Sequence, residues 1–263
     1  MELARFLRSR LSLSILLYWA LLLSLAWLFA ELLEEVYAQG GFFFDEPVLA
    51  WFYERLNPLT TKFMLVASTI GGTAFMIALS VAVTLLLWRL ARREARFFAF
   101  SMLGASLIML LTKLSLNRPR PDLYPDVDLW QTASASFPSG HATGSAAFFL
   151  SLYFVLAHKN MRWRLLAAVL GLLMVIWIST SRLYLQVHYP SDILAGLALG
   201  TTWVLGVNAL YRWRGRDKTK RTVLLTLPTH LIKRYEEEAA AKNLSEDEIM
   251  TSMLEKRYKN PQR

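Results

Sequence analysis

"SRLYLQVHYPSD", residues 181–192, separates two apolar runs near 165–180 and 193–211. Arg182, His188 and Asp192 stand in a short connector between segments built mostly from Leu, Ile, Val, Ala and Gly. The runs on either side decide the fold. A stretch of ~20 apolar residues is long enough to cross a bilayer as a helix, which satisfies its own backbone polar groups where no water is present. Working outward from 181–192, six such stretches occur, near 12–30, 63–88, 97–114, 142–157, 165–180 and 193–211. With 55% hydrophobic residues and a mean hydropathy of +0.34, the chain is too apolar for an ordinary soluble domain. The expected fold is therefore all-α and integral to the membrane, a six-helix bundle over residues 1–211.

The first run follows Arg5, Arg8 and Arg10, as a secretory signal would. It is longer than a signal's apolar core, and the Glu31-Leu-Leu-Glu-Glu that follows offers no small-residue cleavage pattern. We read it as a retained helix. The chain contains no cysteine, which removes disulfide frameworks and thiolate metal sites.

The net charge of +9 is concentrated in four clusters: Arg5/Arg8/Arg10, Arg89/Arg92/Arg93/Arg96, Lys159/Arg162/Arg164, and Arg212 through Arg221. With six spans all four fall on one side, which the positive-inside rule makes cytoplasmic. The acidic connector 31–62 and the connectors 115–139 and 181–192 then face outward. Both termini are expected inside a bacterial-type inner membrane, and the basic excess calls for no nucleic acid.

The outward connectors hold the reactive side chains. Lys113 ends the third run, and "NRPRPD" at 117–122 places Arg118 and Arg120 in a proline-stiffened stretch. "FPSGH" at 137–141 leads into the fourth run, and Arg182, His188 and Asp192 close the set. Charged residues at span ends are often only interface anchors. A set of cations, two histidines and an acid on one membrane face suits phosphoryl transfer better. Lys113, Arg120 and Arg182 can hold phosphate oxygens, the arginines in bidentate fashion. Ser139 can cap the fourth span, whose free N–H groups and dipole favour an anion, and Gly140 allows close backbone approach. A neutral His188 can attack phosphorus while Asp192 accepts the proton of its other ring nitrogen; His141 can serve as general acid and then base. The cations meet the charge that a metal would otherwise meet, so no cofactor is expected.

Lys113-x6-Arg120-Pro121, Pro138-Ser139-Gly140-His141 and Ser181-Arg182-x5-His188-x3-Asp192 together resemble the three-part signature of the type 2 phosphatidic acid phosphatase family, the lipid phosphate phosphatases. The resemblance covers about residues 45–211, and all three parts match in order, spacing and residue type. It implies a membrane helix bundle with the site at its outer face. It also implies His188 as a nucleophile that becomes phosphohistidine, Asp192 as its orienter, His141 as general acid, and Lys113, Arg120, Ser139, Gly140 and Arg182 as phosphate ligands. Soluble relatives include vanadate-dependent haloperoxidases, against which six membrane spans argue. Arg118 lies outside the pattern; it is either a second phosphate contact or an anchor. The expected substrate is a membrane lipid phosphate: an isoprenoid diphosphate such as undecaprenyl diphosphate, phosphatidylglycerophosphate or phosphatidate. The competing class is a protein that binds or transports such a lipid without hydrolysing it. "GGFFFDEPVLAWFYERLNP" (40–58) reads as an amphipathic interfacial helix after a phenylalanine cluster, with its aromatics at headgroup level.

Residues 212–221 form a basic juxtamembrane linker, and 222–260 change character. "TVLLTL" (222–227) before Pro228 suggests a strand, and 229–242 show helical spacing at Leu231, Tyr235 and Ala239. Ser245 and Glu248 form a capping box for a helix over 246–258. This strand-helix-helix order resembles the ribbon-helix-helix fold, which implies a homodimer through paired strands. Of the strand positions that would face DNA, Thr222, Leu224 and Thr226, Leu224 is a poor base reader, so a cytoplasmic dimerisation domain is favoured over nucleic-acid binding.

Overall fold

The computed structural model describes residues 13–124, 135–156, 161–219, 237 and 241. Its regular elements are eight helices: α1 (Leu13–Gln39), α2 (Asp45–Tyr53), α3 (Pro58–Ile70), α4 (Thr73–Leu90), α5 (Arg92–Leu116), α6 (Gly140–Leu156), α7 (Met161–Tyr184) and α8 (Pro190–Thr219). Among the described residues there is no strand. Five helices are long and apolar enough to cross a membrane: α1, α4, α5, α7 and α8 over Pro190–Arg212. The helix α6, at the fourth expected span, has 17 residues and falls short of that length. Leu17, Leu23, Trp27, Leu85, Leu103 and Leu172 lie exposed on the outside of the bundle, the face a bilayer would cover.

The expected second span, 63–88, is corrected by the structure. It is two helices, α3 and α4, broken at Gly71-Gly72. The physical reason is packing. A Cβ at Gly71 would stand 2.3 Å from Ile178 Cγ2 and 3.0 Å from His141 Cδ2, so α3 can end against α6 and α7 only with glycine there. The amphipathic segment 40–58 likewise resolves into the short α2 and the start of α3, where Asn57 accepts from the Thr60 N–H and Pro58 occupies the first turn. The basic run after 211, expected as a linker, continues α8 as helix through Thr219. The chain divides into two compact units, Met1–Gly215 and Arg216–Arg263. The expected strand and helices of 222–260 lie outside the described residues, apart from helical Glu237 and Ala241.

Packing follows from small residues at helix contacts. Gly196 and Gly200, one turn apart on α8, meet α6 so closely that added Cβ atoms would stand 2.7 Å from the Ser139 carbonyl and 2.6 Å from that of Thr143. Gly104 on α5 receives the Trp203 indole in the same way. Phe97, Phe98, Met102, Phe148, Val204 and Val207 fill the core between α5, α6 and α8. Leu32 and Val36 of α1 pack with Phe137 and Ala195. On the other flank Tyr184, Leu185 and Val187 pack against Phe52, Leu56, Met64 and Leu65 of α2 and α3. The Tyr184 hydroxyl accepts from the Asn57 N–H at 2.9 Å, and Gln186 Nε2 donates to the Leu49 carbonyl at 3.1 Å. These bonds fasten the 185–189 turn to the helices before the first glycine break.

Candidate active site

Five helix ends converge at one end of the bundle: the C-termini of α3, α5 and α7 and the N-termini of α6 and α8. The chain runs into and out of the site through breaks written in the sequence. α5 ends at Asn117, a left-handed cap with φ 44° whose N–H bonds the Lys113 carbonyl, and Pro119 forbids continuation. α7 ends at Tyr184, and Pro190 fits the first turn of α8. Asp192 sits in that first turn and its Oδ2 accepts the Tyr189 N–H at 2.9 Å, the reaching-back half of a capping box. The same Oδ2 lies 3.3 Å from His188 Nδ1.

That contact fixes a tautomer. A carboxylate oxygen only accepts, so His188 carries its proton on Nδ1 and leaves the Nε2 lone pair available. The imidazole and the carboxylate are both fully buried. Burial pushes the His188 imidazole down to about 4; the Asp192 bond and charge oppose this, and the Arg120 and Arg182 charges add to it. His188 is therefore neutral at ordinary pH. His141, at the start of α6, places Nε2 3.1 Å from the Ser68 carbonyl, which fixes its neutral tautomer as Nε2–H. Its ring lies within electrostatic reach of Arg182, His188 and Arg120.

The cations surround this pair. Arg182 is buried; its Nη1 donates to Ser68 Oγ, and its Nε has no partner among the described residues. Arg120 Nη1 donates to the Val187 carbonyl at 2.8 Å, and burial lowers the guanidinium's affinity for its proton while the Asp192 charge supports it. Lys113 Nζ donates to the Ala135 carbonyl and lies within electrostatic reach of Arg120, Asp192 and Arg182. Among the described residues neither Lys113 nor Arg182 is paired with a carboxylate. Ser139 is buried before α6, and its Oγ accepts the Ala142 N–H at 3.4 Å, a long cap. A Cβ on Gly140 would meet nothing nearer than Met109 Cε at 3.6 Å. The protein's own packing therefore does not require glycine at 140.

All eight residues singled out in the sequence thus gather at one end of the bundle. Arg118 is neither the phosphate contact nor the plain surface anchor its sequence allowed. It is buried, and it bridges Asp192 and Asp45. Asp45, Ser191 and Ser68 escaped the sequence reading. Ser68 had a signal, because the Gly71-Gly72 pair just beyond it marks a helix end. Asp45 had none, being one of six acids in the stretch 31–62.

The arrangement matches known proteins. The model of the PAP2 superfamily matches residues 94–216. Phosphatidylglycerophosphatase B of Bacillus subtilis is 30% identical over 163 residues, 55% of this chain and 71% of that protein. The chain belongs to the PAP2 superfamily. Among other PAP2 relatives, the lipid A 1-phosphatases of Rhizobium johnstonii and Rhizobium etli are 33% and 31% identical. These matches cover 41% and 49% of the chain, and the chain spans only 44% and 62% of those relatives. The PAP2 fold is also seen in crystal structures. A transmembrane PAP2 type phosphatidylglycerolphosphate phosphatase from Bacillus subtilis superposes with a TM-score of 0.65 at 22% identity, covering 77% of this chain and 98% of that one. Aquifex aeolicus LpxE superposes at 0.53 and 19% identity, covering 64% and 96%.

Proposed function

We propose that this PAP2 chain is an integral-membrane lipid phosphate phosphatase that works through a phosphohistidine at His188. One observation carries the reading: a neutral, buried His188 backed by Asp192 stands among Lys113, Arg120 and Arg182, and among the described residues Lys113 and Arg182 have no carboxylate partner. In the first step His188 Nε2 attacks phosphorus, and the bond from phosphorus to the lipid oxygen breaks. That oxygen takes the Nδ1 proton of a His141 imidazolium, whose Nε2–H stays on the Ser68 carbonyl, and Asp192 stabilises the imidazolium character developing on His188. In the second step His141 takes a proton from water, whose oxygen attacks the phosphohistidine. Inorganic phosphate leaves and His188 is restored. Lys113, Arg120, Arg182 and the N–H groups at the start of α6 hold the charge on the equatorial oxygens through both steps, so the reaction proceeds without a metal.

The substrate is a lipid whose phosphate reaches the site while its chains stay in the bilayer. Undecaprenyl diphosphate, phosphatidylglycerophosphate, phosphatidate and the lipid A phosphates are the candidates, and the names of the PAP2 relatives favour the second and the last of these. The charge pattern favours a site on the outer side of the cytoplasmic membrane, with both termini inside. A phosphate-release screen of the purified protein across these four classes, with and without chelator, tests the reading. Release from at least one class, undiminished by chelator, is the expected result. Stoichiometric binding with no release would establish the non-hydrolytic carrier instead.

The pH dependence follows from His188. The nucleophile must be neutral, and burial keeps it so down to about 4. The acid limb of kcat/KM, corrected for the substrate's own second ionisation near about 6, should fall through pH ~4 and not ~6.5. Stability has the matching sign. The unfolded chain takes up a proton below about 6.5 that the buried imidazole refuses, so the fold weakens as pH drops from there towards 4.

The tail at 222–260 is proposed as a cytoplasmic dimerisation domain, on its strand-helix-helix pattern. Mass measured in detergent should halve when residues 219–263 are removed; a monomeric full-length chain would refute it.

A further inference from the structure

Asp192 is buried with both oxygens committed. Oδ2 serves His188 and the Tyr189 N–H, and Oδ1 accepts from Arg118 Nη1 at 2.6 Å. The bond to Arg118 is the shortest of the three and joins two opposite charges, so the guanidinium, not the imidazole, sets where this carboxylate sits. Arg118 in turn is held at both terminal nitrogens, while its Nε has no partner among the described residues. Its Nη2 donates to Asp45 Oδ2 at 2.9 Å, Nη1 donates to Ser191 Oγ at 2.8 Å, and its guanidinium lies 4.1 Å from the centre of the Tyr189 ring. Its backbone is held too, since its carbonyl accepts the Ser136 N–H at 2.8 Å, just before Phe137-Pro138-Ser139-Gly140.

Asp45 is the far anchor. It opens α2, is 3% exposed, and accepts from three donors besides Arg118: the Phe42 N–H at 3.1 Å, the Ser191 N–H at 2.9 Å and the Ser191 hydroxyl at 2.6 Å complete its shell. Space for the clamp is made by Gly41, where a Cβ would stand 2.4 Å from Arg118 Nη2 and 3.0 Å from Asp45 Oδ2. One guanidinium shared by two carboxylates leaves the cluster with one net negative charge behind His188. That charge favours the imidazolium-like nitrogen formed when His188 bonds phosphorus. A buried chain of charges left half-paired would be costly, so the members stand or fall together.

The geometry points to Asp45 and Arg118 as positioning residues that aim the Asp192–His188 pair, making the working unit a chain of four charged or ionisable groups from α2 to the nucleophile. The inference rests on the phosphatase reading and adds a residue, Asp45, outside the segment 94–216 that matches the family. Neither residue reaches for phosphate, because the guanidinium is committed to carboxylates. The rate of the chemical step should therefore suffer while substrate binding does not.

The test compares full-length wild type, Asp45→Asn, Arg118→Ala, Arg118→Lys, the Asp45→Asn/Arg118→Ala double variant and Gly41→Ala, on the best lipid phosphate of the screen. The expected result is a fall in kcat of about 10- to 100-fold for Asp45→Asn and Arg118→Ala, with KM and vanadate inhibition changed less than about threefold. Arg118→Lys should recover part of the loss, and the double variant should be no slower than Arg118→Ala, as members of one unit are not additive. A raised KM with kcat intact would make Arg118 a phosphate ligand, and wild-type values for both would make the pair a plain anchor; either overturns the proposal. If Arg118→Ala does not fold, Gly41→Ala decides, since it displaces the same guanidinium: a kcat within twofold of wild type refutes the chain. A wild type that releases no phosphate from any lipid would refute the phosphatase reading instead.

Discussion

His188→Ala should reduce phosphate release by at least about 10⁴-fold, the scale on which losing a covalent nucleophile acts. The argument is positional. Nδ1 is fixed on Asp192, and Nε2 is the nitrogen whose lone pair is left for phosphorus. The other imidazole of the site, His141, is tied through Nε2 to the Ser68 carbonyl and stands at a different helix start. It does not substitute for the lost ring. Alanine leaves a buried hole beside Asp192 but removes no phosphate ligand, so KM should move only a few-fold. Rapid-quench labelling with a radioactive lipid phosphate checks the mechanism directly. Wild type should show an acid-labile, alkali-stable phosphoenzyme, and His188→Ala should show none. A variant that keeps its full rate removes the covalent mechanism.

The second large effect belongs to Arg182. This guanidinium is 4% exposed, gives one bond to a serine hydroxyl, leaves Nε without a partner, and has no carboxylate beside it among the described residues. A buried cation without a counter-ion weakens the empty protein, and the fold tolerates it because an anion belongs there. Arg182→Ala should therefore lower kcat/KM by about 10²- to 10³-fold. It should also leave the melting temperature of the unliganded protein equal or higher. Arg182→Lys should recover little, because a single ammonium cannot reproduce the two-pronged contact. Melting curves in detergent beside the kinetics separate the alternatives. A melting temperature that falls with the activity would make Arg182 a structural support.

Arg118 is the contrast that gives this meaning. Both arginines are buried, yet Arg118 is bracketed by Asp45 and Asp192. The signature set Arg182 among the phosphate ligands and left the role of Arg118 open. Lys113, Arg120, His141, Arg182, His188 and Asp192 were legible because each lies at a fixed spacing beside a helix end, where local chain geometry decides the surroundings. Asp45 and Ser68 were not. Their partners in the site lie 73 or more positions away (Arg118 and His141 at 73, Arg182 at 114, Ser191 at 146); nothing local distinguishes one acid of an acidic connector, and the glycine pair beyond Ser68 marks a helix end without naming its partners. The break at Gly71-Gly72 escaped for another reason. Two glycines in 26 apolar residues barely change an average of hydropathy, although each weakens a helix by about 1 kcal/mol relative to alanine.

That break places Ser68 where its carbonyl steadies His141 and its hydroxyl meets Arg182. Ser68 and Asp45 both precede residue 94, where the family match begins. A chain trimmed to 94–216 would keep every residue of the three-part signature and lose one wall of the reaction chamber. The recognisable module is thus not a portable one. Grafted onto another membrane scaffold, it would bring the reacting groups without the two side chains that steady them. Exchanges between relatives should accordingly be cut upstream of residue 41, so that both halves of the chamber travel together.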